Sequence, residues 1–175
     1  MKRLVKEREI FHYLLKDLLR HEEVLKMKEY IQHGDLSTYD HAVNVAWTSF
    51  RFSRRVGLKV DERSLLRGAL LHDFYLYDWH VRDENRKRFH GFYHPKIALR
   101  NARAHFSVNK IEEDIILKHM WPLTPMLPRY RESYVVLLAD KYCSVKDTLG
   151  FENRERHTEY SASRMKPEEE RRQQE

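Results

Sequence analysis

The stretch RGALLHDFYLYDWH (residues 67–80) ends an apolar helical run with a histidine directly followed by an aspartate. At helical spacing, His72 and Asp73 share a face with Ala69, so both titratable side chains point where the core residues point. A buried carboxylate that lacks a partner costs several kcal/mol. The stretch therefore predicts a helix whose end delivers two polar groups to the interior.

Length and composition favour one helical domain. The chain has 175 residues, of which 41% are hydrophobic and only five each are Gly and Pro. Its apolar runs, such as YVVLLA at 134–139, are too short to span a membrane, and the N-terminus does not look like a secretion signal. A single cysteine, Cys143, excludes an internal disulfide framework or a zinc site built from a cysteine cluster. We expect a cytoplasmic protein without a membrane partner.

Helical periodicity predicts an all-α fold of about six to eight helices, without strand alternation, a Gly-rich phosphate loop or internal repeats. The first 32 residues are predicted to form two helices that break near Arg20–His21. We expect a single compact helical domain over residues 1–155 and a charged, partly disordered tail over 156–175. Capping residues predict the later helix ends: Ser37 and Gly57, Asp61, His94 before Pro95, Asn109 with Glu112, and Gly150.

Five of these helices each deliver a histidine, an aspartate or both from an apolar face or a helix start. A lone histidine at such a place is more often a core residue bonded to a carbonyl. Two buried carboxylates among several imidazoles instead favour a shared cation. Nitrogen and carboxylate ligands without thiolate suit Mn, Fe, Ni, Zn, Co or Mg, as one or two divalent ions. The residues concerned are His41, His72, Asp73, His94, His119 and Asp140.

The order His41, His72-Asp73, Asp140 resembles the H…HD…D pattern of the HD-domain superfamily of metal-dependent phosphohydrolases, over about residues 33–147. The resemblance implies an HD-type helical bundle in which these four residues hold a first ion. It also implies that His94 and His119 hold a second ion, as in family members with two metals, and that Asp73 bridges the two. His72 and Asp73 would then be the catalytic residues. The implied reaction is hydrolysis of a phosphate ester, of a nucleotide or a related small phosphorylated substrate, by metal-activated water.

Two departures from known branches of that superfamily bear on the substrate. The cyclic-dinucleotide branch has a Lys shortly after the doublet and a Gly-Tyr-Pro segment after a later His, whereas this chain has HDFYLYD and HMWPLTP. The 5′-nucleotidase branch has a Glu three residues after the doublet, where this chain has Leu76. Asp78 and His80 are nearby candidates for the missing proton-transfer group, although an exposed helix end explains them equally well.

Further residues are candidates for the surroundings of the site, and each also has a simpler structural explanation. Cations that could neutralise a substrate phosphate are Arg67, Arg100, Lys118 and Lys141. Candidate outer ligands are His33 and His90. Aromatic side chains that could line a pocket and stack a base are Tyr75, Tyr77, Trp79 and Trp121.

Two other functional classes stay open. Some members of the same superfamily use four His and two Asp to hold two irons and oxidise a C–H bond, and ligand identity does not separate them from hydrolases. The net charge of +6 also suits a non-catalytic helical module that binds nucleic acid. The absence of a concentrated basic stripe disfavours that module. The sequence predicts no oligomeric state.

Overall fold

This computed structural model describes residues 2–33, 36–81 and 89–148. These residues contain seven α-helices and one short hairpin. A 3-10 helix (Lys26–Glu29) and two antiparallel strands, β1 (Ile31–His33) and β2 (Leu36–Ser37), lie between the second and third helices. The helices are α1 (Lys2–Leu19), α2 (Glu22–Leu25), α3 (Thr38–Arg55), α4 (Glu62–Leu71), α5 (His90–His105), α6 (Lys110–Lys118) and α7 (Arg131–Thr148). The predicted all-α class and helix number are confirmed.

The core lies where α3 and α6 pack against α4 and α7, and α1 covers α4. Apolar side chains without any solvent exposure fill it, among them Phe11, Phe50, Leu70 and Ile115. Gly68 permits the close approach of α4 and α6, because a Cβ there would lie 2.5 Å from Ile115 Cδ1. None of the described helices combines the length and the apolar character needed to cross a bilayer.

The predicted N-caps of three helices are confirmed. The side chains of Ser37, Asp61 and Asn109 each accept a hydrogen bond from a backbone N–H in the first turn of α3, α4 and α6, respectively. These bonds satisfy donors that have no partner within the helix. Gly57 follows the end of α3 with φ +68°, in the left-handed region that favours glycine.

The structure corrects three details. The helix α5 begins at His90 rather than after His94, and Pro95 lies inside it, where the proline leaves one backbone hydrogen bond unmade. The hairpin was not predicted, because strands of three and two residues are too short to show alternation. The last helix, predicted to span residues 129–150, begins at Arg131. Its predicted end at Gly150, the domain limit at residue 155 and the tail over 156–175 lie outside the described residues.

Candidate metal centre

The six side chains predicted as ligands meet in one buried cluster. They lie in α3 (His41), at the end of α4 (His72 and Asp73), in α5 (His94), just after α6 (His119) and in the middle of α7 (Asp140). None is more than 7% exposed. Residues separated by as many as 99 positions are therefore brought into contact by the packing of five helices.

One half of the cluster joins α3, α4 and α7. Asp140 Oδ1 lies 3.1 Å from His41 Nε2 and 3.6 Å from His72 Nε2. One potential ligand atom from each of these three residues lies within 4.8 Å of the other two. This spacing would allow a single cation to contact all three.

The other half joins α4, α5 and α6. Asp73 Oδ1 lies 3.1 Å from His94 Nε2 and 3.6 Å from His119 Nε2. The Nε2 atoms of His94 and His119 are only 2.8 Å apart. Asp73 Oδ2 faces the first half, at 3.3 Å from His72 Nε2. The two oxygens of Asp73 thus face different parts of the cluster.

Local backbone carbonyls hold three of the imidazoles in place. His72 Nδ1–H donates to the carbonyl of Ala69 at 2.7 Å, and His119 Nδ1–H donates to the carbonyl of Ile116 at 2.9 Å. His94 Nδ1 makes the corresponding bond, at 3.1 Å, to a carbonyl one turn earlier in α5. Because Nδ1 is the donor in each of these bonds, Nε2 is the nitrogen that faces the cluster and could act as the ligand atom.

Two residues of the site were missed by the sequence analysis. Asp147 Oδ2 lies 3.0 Å from His41 Nδ1, and Gln32 Nε2 donates to Asp73 Oδ2 at 2.8 Å. Asp147 lies two helical turns after Asp140 in α7, so the helical period could have revealed it. No sequence signal marks Gln32, which lies in the unpredicted hairpin.

Opposite charges oppose the effect of burial on the ionisable groups. Burial lowers the pKa of His41, but hydrogen bonds with Asp140 and Asp147 raise it to about 9. Burial likewise opposes protonation of His72, yet the charge of Asp73 and the contact with Asp140 hold its pKa well above the usual value. Burial raises the pKa of Asp140, while the hydrogen bond with His41 and the nearby charge of His72 bring it far below the usual range.

The second half of the cluster contains a neutral imidazole. Burial, followed by the charges of His72 and His94, lowers the pKa of His119 to about 3. The pKa of Asp73 is well below its usual value, because the charges of the same two histidines outweigh burial. These directions favour protonated His41 and His72 opposite ionised Asp73 and Asp140. Because a ligating imidazole must be neutral, an ion that binds here would displace those protons.

Two buried polar atoms test whether the cluster fits a metal ion. His72 Nε2 and Asp73 Oδ1 have no hydrogen-bond partner, and such atoms usually have one when they are buried. The neighbouring Nε2 atoms of His94 and His119 also face each other without a carbonyl or hydroxyl between them. One potential ligand atom from each of His72, Asp73 and His119 lies within 4.8 Å of the other two, so a divalent ion could contact all three, and the nitrogen and oxygen donors suit a transition metal. The residues present therefore fit such an ion.

The cations predicted to bind substrate have different surroundings. Arg67 donates to Glu112 at 2.9 Å and to Asp17 at 2.6 Å, and Lys118 pairs with Asp114 at 2.5 Å. These three carboxylates are not members of the ligand cluster, so the two cations are already engaged elsewhere. Lys141 is half-buried beside Asp140, and Arg100 is exposed on α5. Substrate binding by these four residues stays a prediction.

Aromatic rings extend outward from the second half of the cluster. The ring of His90 stacks on that of His94 with centroids 4.5 Å apart, and the Tyr77 hydroxyl lies 2.9 Å from His90 Nδ1. The ring of Trp79 contacts the rings of His80 and His90, with centroids 3.9 Å and 5.2 Å apart, respectively. These neighbours already contact the indole that was predicted to stack a base. The role of His90 as an outer ligand stays a prediction, and the side chain of His33 lies outside the described residues.

The remaining candidates stand at the periphery. Asp78 Oδ1 accepts a hydrogen bond from the backbone N–H of His80 at 2.9 Å, and both side chains are exposed by more than 40%. This pair forms an exposed turn, and its part in proton transfer stays a prediction. Trp121 is half-buried two residues after His119.

Comparison with known families gives a match that covers the site. Residues 38–145, well over half of the chain, match the family model described as HD domain. All six clustered side chains fall within the matched segment, whereas Gln32 and Asp147 fall outside it. Searches of curated proteins and of solved structures gave no significant match.

Proposed function

The chain belongs to the HD-domain family, and on that premise we propose that it hydrolyses a phosphate ester of a nucleotide or a related small phosphorylated substrate. The family is largely one of metal-dependent hydrolases. The observation that carries the proposal is the buried cluster of four imidazoles and two carboxylates, in which His72 Nε2 and Asp73 Oδ1 have no hydrogen-bond partner. The net charge of +6 is compatible with an anionic substrate.

The cluster offers places for one or two ions. His41, His72 and Asp140 would hold one, and His94 and His119 would contribute to a second. Asp73 would bridge the two, because its oxygens face different halves of the cluster. A divalent ion bound here would polarise a phosphoryl oxygen and lower the pKa of a water molecule.

The chain's own residues would prepare the site for this chemistry. The carbonyls of Ala69 and Ile116 hold two imidazoles with Nε2 directed inward, so these ligands need little reorganisation when they bind an ion. Burial of the ligands lowers the local dielectric and strengthens their attraction for a cation. Asp73 and His72 would together hold the reacting centre in position at the end of α4.

The proposal is tested by a screen of nucleotides, phosphomonoesters and phosphodiesters with Mn, Co, Fe, Ni and Mg in turn. We expect metal-dependent release of phosphate or of a phosphorylated product. The variant Asp73→Ala should lose activity by more than about 100-fold, since even outer partners of metal ligands contribute 10–100-fold. It should also bind less metal while its helical circular dichroism is retained.

Asp61→Asn is the matched control, because asparagine replaces aspartate equally well as the N-cap of α4. Unchanged turnover in Asp73→Ala would contradict the proposed site. Iron-dependent oxygen consumption without hydrolysis of any ester would indicate the oxygenase class instead. Nucleic-acid affinity that falls steeply with salt and is indifferent to His72→Ala would indicate a binding module.

A further inference from the structure

The hairpin places one polar side chain against the metal centre. Along β1, Ile31 is 39% exposed, whereas the next residue, Gln32, is only 8% exposed. Successive side chains of a strand point to opposite sides, so Gln32 points inward. Its Nε2 donates to Asp73 Oδ2 at 2.8 Å, in a fully buried hydrogen bond across 41 positions of sequence.

Two hydroxyl groups determine how the amide of Gln32 is turned. Its Oε1 accepts a hydrogen bond from the hydroxyl of Tyr75 and lies 3.3 Å from Thr38 Oγ1. The hydroxyl oxygens of Thr38 and Tyr75 are themselves 3.2 Å apart. A carboxylate only accepts hydrogen bonds, and an amide oxygen cannot donate one. Rotating the amide by 180° would therefore bring two acceptors, the amide oxygen and Asp73 Oδ2, against each other and would place the NH₂ group against the hydroxyls. The hydrogen bond to Asp73 would then be lost.

The two oxygens of Asp73 consequently have different surroundings. Oδ2 receives the N–H of Gln32, whereas Oδ1 has no hydrogen-bond partner and lies 3.1 Å from His94 Nε2. The donor is neutral, so it fixes the carboxylate without cancelling its negative charge. A lysine or arginine in the same place would compete with a cation for that charge.

We propose that Gln32 is a positioning residue of the metal centre: held by Tyr75 and Thr38, its amide orients Asp73 so that Oδ1 is available to an ion. This inference rests on the proposed function, because it assumes that the cluster binds a metal. It extends the site beyond the family match, which begins at residue 38. It also gives the hairpin a function, namely to bring a neutral donor to the end of α4.

The test measures the dissociation constants for Mn²⁺ and Co²⁺ by titration calorimetry on the full chain. Gln32→Met keeps the length and approximate volume of the side chain and removes the donor. We expect its metal affinity to fall by about 10–100-fold, the usual effect of removing an outer partner of a metal ligand. Thermal unfolding in the presence of a chelator separates this effect from a loss of stability that does not involve metal.

Tyr75→Phe tests the same network without altering the amide. Loss of its hydroxyl should weaken metal binding by about 2–10-fold, as expected for one hydrogen bond. Tyr75→Phe should have no further effect in the Gln32→Met background, because Tyr75 acts through Gln32. The control is Tyr39→Phe, which removes a buried tyrosine hydroxyl from the first turn of α3 outside the network. It should bind metal like the wild type.

Each outcome decides the matter. Wild-type affinity in Gln32→Met, even with a lowered melting temperature, would overturn the positioning role and leave the proposed function intact. If Gln32→Met does not fold, unchanged affinity in Tyr75→Phe would overturn it. Equal effects of Tyr75→Phe in both backgrounds would show that Tyr75 does not act through Gln32. Absence of metal binding in the wild type would overturn the proposed function and this inference together.

Discussion

At the scale of single residues, each imidazole of the centre has one nitrogen fixed by a neighbour and the other directed to the shared space. For His72, His94 and His119 the fixing group is a backbone carbonyl. His41 differs, because its Nδ1 faces the carboxylate of Asp147 at 3.0 Å. A carboxylate partner makes an imidazole a more basic ligand than a carbonyl does. We therefore expect His41 to depend on Asp147.

A substitution of Asp147 that removes its hydrogen bond with His41 should weaken metal binding more than a substitution that removes only its charge. We expect Asp147→Ala to raise the dissociation constant by about 10–100-fold and Asp147→Asn, which retains an acceptor, to raise it less. Competition with a chromophoric chelator measures both constants. Identical constants for Asp147→Ala and the wild type would show that His41 is oriented without this carboxylate.

At the scale of secondary-structure elements, one aspartate joins α6 to the start of α7. Asp114 Oδ2 accepts hydrogen bonds from the backbone N–H of Arg129 at 2.8 Å and from Ser133 Oγ at 2.7 Å. Its Oδ1 pairs with Lys118 at 2.5 Å. The carboxylate thus connects α6 both to the segment that precedes α7 and to the first turn of α7. This junction sets the position of the helix that carries Asp140.

Asp114→Asn should lower the free energy of unfolding by about 1–3 kcal/mol, because it weakens several buried bonds to a charged acceptor. Burial raises the pKa of Asp114, but its bonds with Lys118, Arg129 and Ser133 bring it below the usual 3.8. A lowered pKa stabilises the fold above that value, and the contribution is lost as the pH falls through the lower value in the folded protein. The difference between wild type and variant should therefore shrink below about pH 3.8.

Urea unfolding at pH 7 and at pH 3 measures this difference. The matched control is Glu113→Gln. Glu113 lies next to Asp114 in α6 and forms a more exposed ion pair with Arg103 of α5. Exposed pairs contribute about 1 kcal/mol or less. An Asp114→Asn variant as stable as the control at pH 7 would refute the stabilising role of this junction.

At the scale of the whole molecule, the ligands come from five helices whose packing also buries an apolar core. An ion bound only by the native state adds to its stability by mass action, about 2.7 kcal/mol when its concentration is 100 times the dissociation constant. The fold and the proposed metal centre are therefore expected to be thermodynamically coupled.

Removal of metal with a chelator should lower the melting temperature by about 5–10 °C, given about 2–4 °C per kcal/mol for a chain of this size. Metal analysis of the purified protein should find one to two transition ions per chain. Scanning calorimetry of metal-loaded and chelated protein checks the shift, and His72→Ala should show little of it. Equal melting temperatures for the loaded and chelated wild type would contradict the coupling.

The sequence alone determined the helical class, three of the helix caps and the identity of the six clustered residues. These features depend on local chemistry: a helical period places polar groups on apolar faces, and Ser37, Asp61 and Asn109 cap whichever helix follows them. The HD-type arrangement followed from the order of His41, His72-Asp73 and Asp140. The start of α5 was predicted incorrectly, because Pro95 is compatible with the first helical position and is also tolerated inside the helix at the loss of one bond.

Only the tertiary structure decided which groups surround the ligands. Gln32 gains its role from a contact across 41 positions, which no local pattern encodes. The helical period places Asp147 on the face of Asp140, but packing decides its contact with His41 across 106 positions. Arg67 and Lys118 are plausible substrate cations by their place in the chain, and only the folded structure shows that they pair with Glu112 and Asp114. A side chain's chemistry is a property of the sequence, whereas its partner depends on which helices pack together.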